Sequence, residues 1–378
     1  MSRRPVVHQF TAVLADRDAL GQHTLLVDDI LREMGADSSV YAAHVHPEVR
    51  SRGRDFRLHA DDPAPDLIIY QASTGTPVAD YVLTRPEPIV VNYHNMTPAS
   101  FFDAWEPAVS AELDHGRRQL ARLAKKASHG IAVSEFNASE LRALGMDDVS
   151  VSPVLFAPLW REMSAADSSG NSGAPSLATV PVAASSAAPN SGGVVTLLFV
   201  GRLSPNKCQQ DLVGVLAGVR ALGVDARLVL VGGVSSAGFV SAVESVASEL
   251  GVLGSLVLAG SVSESELVGL YESADVFVSV SEHEGFCVPV VEAMGFGLPV
   301  VAFGSSALPE TLAGAGVVLG EKSVGVVASA VVRVLSDSVV REGLVARGRR
   351  RAEELGVVAS SARMREVLQP LLNGVGAS

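Results

Sequence analysis

Cysteine is nearly absent. Cys208 and Cys287 are the whole complement, which leaves neither a disulfide framework nor metal-ligand spacing and points to a reduced, cytoplasmic setting. Basic charge is also in deficit: 29 Lys and Arg stand against 41 Asp and Glu, a formal net charge of −12, which argues against general nucleic-acid binding. No apolar run approaches the roughly 20 residues needed to span a bilayer. Arg3 and Arg4 are not followed by the apolar core of a signal peptide. Any membrane contact would be peripheral, at the inner face. Neither half carries G-x-G-x-x-G after its first strand with an acidic residue ~20 positions on, which disfavours a dinucleotide-dependent dehydrogenase.

What is present is apolar content, 48% of 378 residues, enough for sizeable cores. At roughly 100–200 residues per domain the length suggests two domains. The stretch Ser164–Gly193 is nearly all Ser, Ala, Gly, Pro, Asn, Thr and Val. It cannot bury enough surface to offset its ordering entropy and reads as a flexible linker. The expected organisation is residues 1–163, the linker 164–193, a second domain 194–357 and a terminal helix 358–378.

Both halves alternate short β-branched runs with helical patterns. Strands are expected at Val6–Phe10, Val40–Ala43, Leu67–Tyr70, Ile89–Tyr93, Ile131–Ser134 and Val149–Ser152, then at Val194–Val200, Ala226–Val231, Leu256–Ala259, Val276–Ser279 and Val300–Phe303. Helical patterns lie between them, and from Ser323 onward there are only helical patterns. The fold class is therefore α/β, two doubly wound Rossmann-like domains, and ligands of such sheets bind at the carboxyl ends of the strands.

Two segments carry chemistry. Ser281–Ala302, SEHEGFCVPVVEAMGFGLPVVA, runs from a strand end through a turn at Gly285 into a helix opened by Pro289. The first N–H groups of that helix and its dipole make a phosphate site. Glu292, one turn in, could accept two hydrogen bonds from a vicinal diol, and Glu284 could accept from sugar hydroxyls. Either acid alone is also what a solvated surface carboxylate looks like. Leu197–Lys207, LLFVGRLSPNK, places Gly201, Arg202 and Lys207 on one loop between a buried strand and a helix. Two cations there could neutralise a diphosphate leaving group without a divalent metal.

GRLSPNK, followed about eighty residues later by SEHEGFCVPVVEAM and GLPVVA, resembles the donor half of family 4 retaining glycosyltransferases, the group 1 glycosyltransferases, which have the GT-B fold of two such domains facing across a cleft. The resemblance covers most of Val194–Phe303. It implies that Arg202 and Lys207 bind the donor diphosphate, that Glu284 contacts the transferred sugar and that Glu292 holds the ribose. It also implies that backbone N–H groups across Phe286, Cys287, Val288, Pro289 and Val290 reach the sugar and phosphates. Cys287 stands where the family often has glycine, and reads as packing rather than as a nucleophile. The first half resembles the family's acceptor domain more weakly. Gly21, in ADRDALGQHTLL, stands before a helix where the family often has a glycine-rich loop, and His94, in NYHNMTP, would line the sugar site. Val133-Ser134-Glu135 matches a family strand end, as a contact or as a helix N-cap.

The implied reaction is hexosyl transfer from a UDP- or GDP-linked sugar to an acceptor hydroxyl with retention. The acceptor class stays open among carbohydrate, lipid-linked and small-molecule hydroxyls, and no metal or other cofactor is expected. An epimerase on the same fold and a catalytically silent nucleotide-sugar binder are the competing readings. Asp16-Arg17-Asp18 has the form of a metal-binding DxD but reads as solvated loop charge. Arg118, Arg122, Lys125 and Lys126 share a helix face that suits anionic lipid, an anionic acceptor or plain solvent. The run Arg347–Arg351 reads as surface charge.

Overall fold

A computed structural model describes residues 3–16, 18–160 and 193–375. The stretch read as a linker lies outside the described residues except for Gly193, as does Arg17. Two compact units result. One is Met1–Ala157 with Glu284–Val288 and Glu354–Ser378; the other is Pro158–His283 with Pro289–Glu353.

The first unit holds a seven-stranded parallel sheet built from β1 (Val6–Leu14), β2 (Asp37–Val45), β3 (Gly53–Asp55), β4 (Leu67–Ala72), β5 (Ile89–Tyr93), β6 (His129–Ala132) and β7 (Val149–Val151). Its order is β3-β2-β1-β4-β5-β6-β7. Every residue of β4 and β5 is buried, because helices cover both faces. The helices are α1 (Ala19–Glu33), α2 (Pro77–Thr84), α3 (Pro107–Lys126) and α4 (Glu135–Ala143). Proline opens α2 and α3, where its missing N–H costs no intrahelical bond. The Ser134 hydroxyl accepts from the Asn137 N–H at 3.2 Å and caps α4, so the strand expected to reach Ser134 ends at Ala132.

The second unit holds a six-stranded parallel sheet of β8 (Val195–Val200), β9 (Ala226–Val231), β10 (Leu256–Gly260), β11 (Val276–Ser279), β12 (Val300–Phe303) and β13 (Val317–Leu319), in the order β10-β9-β8-β11-β12-β13. Around it run α5 (Gln209–Ala221), α6 (Ala237–Glu249), α7 (Glu264–Ser273), α8 (Val288–Phe296), α9 (Leu308–Leu312), α10 (Val324–Ser336) and α11 (Ser338–Glu354). The last helix, α12 (Val357–Val375), belongs to the first unit: Met364, Val367, Leu368 and Leu372 share a core with Val7, Val27, Ile30 and Leu31. No helix among the described residues is long and apolar enough to cross a membrane.

The strands named from the sequence are found, with ends shifted by a few residues, and helices occupy the stretches between them that carry a clear helical period. The elements it did not yield are β3, β13, α2 and α9. The two strands are three-residue sheet edges: β3, Gly-Arg-Asp, has no apolar run, and β13, Val-Val-Leu, is too short a run to read as a strand. The two helices are eight and five residues long, too short to show a helical period. Arg347 and Arg351, read as surface charge, donate to the carbonyls of Gly314, Thr311 and Glu310 and close the C-terminal end of α9.

Gly21 needs correction. It is the third residue of α1, not a loop residue before it, because the chain turns helical directly after Asp18. Its demand is steric: a Cβ there would lie 1.7 Å from the Ala15 carbonyl oxygen, where the helix start backs onto the loop leaving β1. Gly21→Ala should therefore cost at least about 3 kcal/mol. Gly269→Ala, at a helical site with nothing within 4 Å, should gain about 0.5–1 kcal/mol. Urea unfolding of the two variants checks the pair; equal midpoints would contradict the close approach at Gly21.

Candidate active site

In both sheets the strand order reverses beside the first strand, between β1 and β4 and between β8 and β11. Loops that leave such neighbouring strands diverge and open a crevice at the carboxyl edge. The second unit fills that edge with both motifs. After β8, Gly201 and the exposed Arg202 lead through buried Leu203 and Ser204 to a 3₁₀ turn, Pro205–Lys207, and α5 starts after Cys208. The Arg202 carbonyl accepts from the Gln209 amide at 2.9 Å, which fixes the loop's backbone while the guanidinium stays at the surface.

Asn206 joins the two motifs. Its carbonyl accepts from the Glu282 N–H at 2.9 Å, its Nδ2 donates to the His283 carbonyl at 3.2 Å, and its Oδ1 accepts from the Ser204 hydroxyl at 2.9 Å. The loop after β11 is held further by the Ser305 hydroxyl, which donates to the Ser281 carbonyl at 2.5 Å, and by Lys322, which pairs with Glu282 and, at 2.7 Å, with Asp211. Cys208, Asp211 and Glu282 lie close enough together to hold a metal ion. The Lys322 ammonium already supplies positive charge to both carboxylates, and burial pushes the Cys208 thiol up to about 11. That cluster reads as an ion pair that braces the loop.

Helix α8 starts at Val288, with Pro289 second. Cys287 just before it has φ +72°, a left-handed conformation that favours glycine and accounts for the residue type expected there. Glu292 follows one turn in and is buried. Its Oε2 accepts from the Tyr271 hydroxyl at 2.8 Å, and the Tyr271 ring stacks on Phe296 at 5.0 Å. Oε1 has no hydrogen-bond partner among the described residues, yet it is not sealed from solvent. Burial pushes the carboxyl up to about 7; the Tyr271 hydrogen bond works against that shift, and the Glu264 charge adds to it.

Glu284–Val288 belongs to the first unit, with Glu284 and Phe286 buried. Gly285 lies against the loop after β5: a Cβ on it would be 2.4 Å from the Asn95 Cβ and 3.0 Å from the His94 carbonyl oxygen. The His94 ring is bonded through Nε2 to Gln71 Oε1 at 2.8 Å and meets the His23 ring edge-on at 4.5 Å. Burial lowers its pKa to about 3, so it is a neutral imidazole at neutral pH.

The structure thus gathers Gly201, Arg202, Lys207, Pro289, Val290 and Glu292 at one sheet edge of the second unit, and sets Gly285, the neighbour of Glu284 in the chain, against the His94 backbone in the first. Sequence reasoning missed Asn206 as the joint, although it stood inside the quoted motif. It also missed Tyr271, which sits in an unremarkable helix. The basic face of α3 is partly spent inside the fold: Arg122 pairs with Asp80 at 3.6 Å, and the Lys126 ammonium donates to the Leu83 carbonyl at 2.7 Å.

Residues 185–351 match the family described as Glycosyl transferases group 1. No curated protein sequence matches the chain significantly. Among solved structures, the chain is similar to sucrose-phosphate synthase of Thermosynechococcus elongatus, at 16% identity and TM-score 0.74, over 98% of this chain and 100% of that one. It is similar to HepE of Anabaena in complex with UDP-glucose, at 16% identity and TM-score 0.68, over 96% and 99%. It is also similar to WaaG, a glycosyltransferase involved in lipopolysaccharide biosynthesis, at 13% identity and TM-score 0.67, over 96% and 99%. The fold is that of GT-B glycosyltransferases, the second half carries a group 1 glycosyltransferase domain, and the chain is a glycosyltransferase.

The raised Glu292 carboxyl makes a stability statement. The folded protein keeps a proton that the unfolded chain releases near 4.5, so this group removes stability as pH rises from 4.5 to about 7 and no more above that. The loss amounts to about 3 kcal/mol. Glu292→Gln should flatten that part of the profile and be the more stable protein at pH 8. Urea midpoints of the two proteins from pH 5 to pH 8 check this, and parallel profiles would contradict it.

Proposed function

We propose that the chain transfers a hexosyl group from a UDP- or GDP-linked sugar to an acceptor hydroxyl, with retention at the anomeric carbon and without a divalent metal. The observation that carries the reading is the state of Glu292: a buried carboxylate, one oxygen held by Tyr271 and the other open, on a helix whose leading loop is tied by Asn206 to the loop of Arg202 and Lys207. A ribose diol can donate to the open oxygen. Hydrogen bonds of that kind favour the ionised form and offset its burial. The diphosphate then meets Arg202, Lys207 and the N-terminal turn of α8, which together counter the charge that grows on the leaving group in the transition state.

The likeness to HepE, solved with UDP-glucose and with UDP and glucose, supports a nucleotide-sugar donor. Glu284, buried next to Gly285, is assigned to hydroxyls of the transferred sugar, and neutral His94 to a hydroxyl at the same sugar. Two cations on one loop offer the neutralisation for which other transferases use a metal. Retention rests on the resemblance, and a same-face displacement needs no carboxylate nucleophile from the first unit.

The test is nucleotide release from a panel of UDP- and GDP-sugars, with EDTA present. One donor should give slow release that survives EDTA. Arg202→Ala and Glu292→Ala should each lower kcat/KM by about a hundredfold or more. Isomerisation of the sugar without nucleotide release would point to an epimerase. If no nucleotide or nucleotide sugar binds the folded protein at millimolar concentration, the reading fails.

A further inference from the structure

Two glutamines lie in the middle of the first sheet, where aliphatic side chains would pack without cost. Gln9 on β1 and Gln71 on β4 are both fully buried. Burying an amide is unfavourable unless each polar atom finds a partner. The strands do not need these side chains for pairing, since β1 and β4 are joined through their backbones over Val7–Phe10. The two amides instead form a chain with a direction.

The direction is fixed at its far end. Gln9 faces the Thr24 carbonyl at 3.2 Å, and a carbonyl only accepts, so the Gln9 Nε2 must point there. Gln9 Oε1 is then turned to Gln71, whose Nε2 donates to it at 2.9 Å. Gln71 Oε1 is left facing His94 Nε2 at 2.8 Å. An amide oxygen cannot donate, so His94 Nε2 must carry the proton. Its Nδ1 is left as the acceptor, with no partner among the described residues.

A second chain steadies the ring beside it. The Leu155 backbone N–H donates to His23 Nδ1 at 3.0 Å, so His23 also carries its proton on Nε2. That proton meets the Asn92 amide 2.8 Å away and requires Oδ1 there; Oδ1, buried, otherwise lacks a partner. His23 is neutral as well, its pKa lowered by burial and then by His94. It is an uncharged wall for the His94 ring.

We propose that Gln71 and Gln9 are positioning residues for His94: anchored on the Thr24 carbonyl, they hold its imidazole in the Nε2–H form and so present Nδ1 as a hydrogen-bond acceptor to a sugar hydroxyl. The substrate half of this inference rests on the transferase reading; the tautomer half does not. His94 in this state can take a hydrogen bond from a hydroxyl but cannot act as a cationic acid.

The experiment uses the full chain with ¹⁵N-labelled histidine, read by two-bond ¹H–¹⁵N spectra from pH 5 to pH 8, with His94→Gln to assign the signal. His94 should show one neutral species with Nε2 protonated throughout. Gln9→Leu does not touch His94, yet it frees the Gln71 amide to rotate. It should mix the two tautomers and lower kcat roughly tenfold, while the donor KM changes less than twofold. Gln71→Leu removes the acceptor for His94 Nε2–H altogether and should mix the tautomers at least as much. An Nδ1–H form in the unaltered protein, or a Gln9→Leu protein with unchanged tautomer and turnover, overturns the proposal. If the unaltered protein binds no nucleotide sugar, the transferase reading fails, and the spectra still decide the tautomer.

Discussion

Strands β8 and β11 are neighbours at the centre of the second sheet, and their crossovers leave toward opposite sides. This reversal is the constraint on which the candidate site depends. It clears the carboxyl edge between two loops, and a parallel sheet aims the starts of the following helices at that edge. GRLSPNK and SEHEGFCVP are the two loops. They lie far apart in the sequence, and the reversal makes them adjacent. Asn206 then fastens one to the other through backbone groups of Glu282 and His283.

On that frame the protein keeps polar groups where apolar ones would be more stable. Glu292 is buried, held by one hydroxyl, and left with an oxygen that no described residue satisfies. Gln9 and Gln71 occupy core positions of a sheet covered on both faces. Cys287 adopts a left-handed backbone that costs a side chain roughly 1–2 kcal/mol. Strained and half-satisfied groups of this kind concentrate at ligand sites, where a bound molecule completes them. Cys208, Asp211, Glu282 and Lys322 are the contrast: two acids and a cation compensate one another, and that group braces the loop.

Much of the fold was legible because fully buried strands leave a plain mark. Ile89–Tyr93, Ala226–Val231, Val276–Ser279 and Val300–Phe303 read off the sequence with the ends found in the structure, since each is an apolar run between turn residues. Edge strand β3, Gly-Arg-Asp, leaves no such mark, and the three apolar residues of β13 make too short a run to read as a strand. Gly21 was placed outside its helix because glycine suggests a loop, whereas here it answers to the Ala15 carbonyl, a contact that no local pattern encodes. The donor motifs were visible as strand, glycine turn and helix. Their supports were not: Tyr271 reaches Glu292 from twenty-one positions away, and Gln71 reaches His94 from twenty-three. Long-range hydrogen bonds of this kind are set by sheet register, which sequence alone leaves open.

The central claim is that Glu292 waits, largely protonated, for a ribose. Binding of a nucleotide sugar, whose diphosphate diester does not titrate near neutrality, can be measured calorimetrically at pH 6.5 in two buffers of different ionisation enthalpy. With the free carboxyl at about 7 and the bound one held ionised, binding should release about 0.8 proton per nucleotide sugar, and Glu292→Gln should release none. Binding without proton release, or with the same release in Glu292→Gln, would contradict the account.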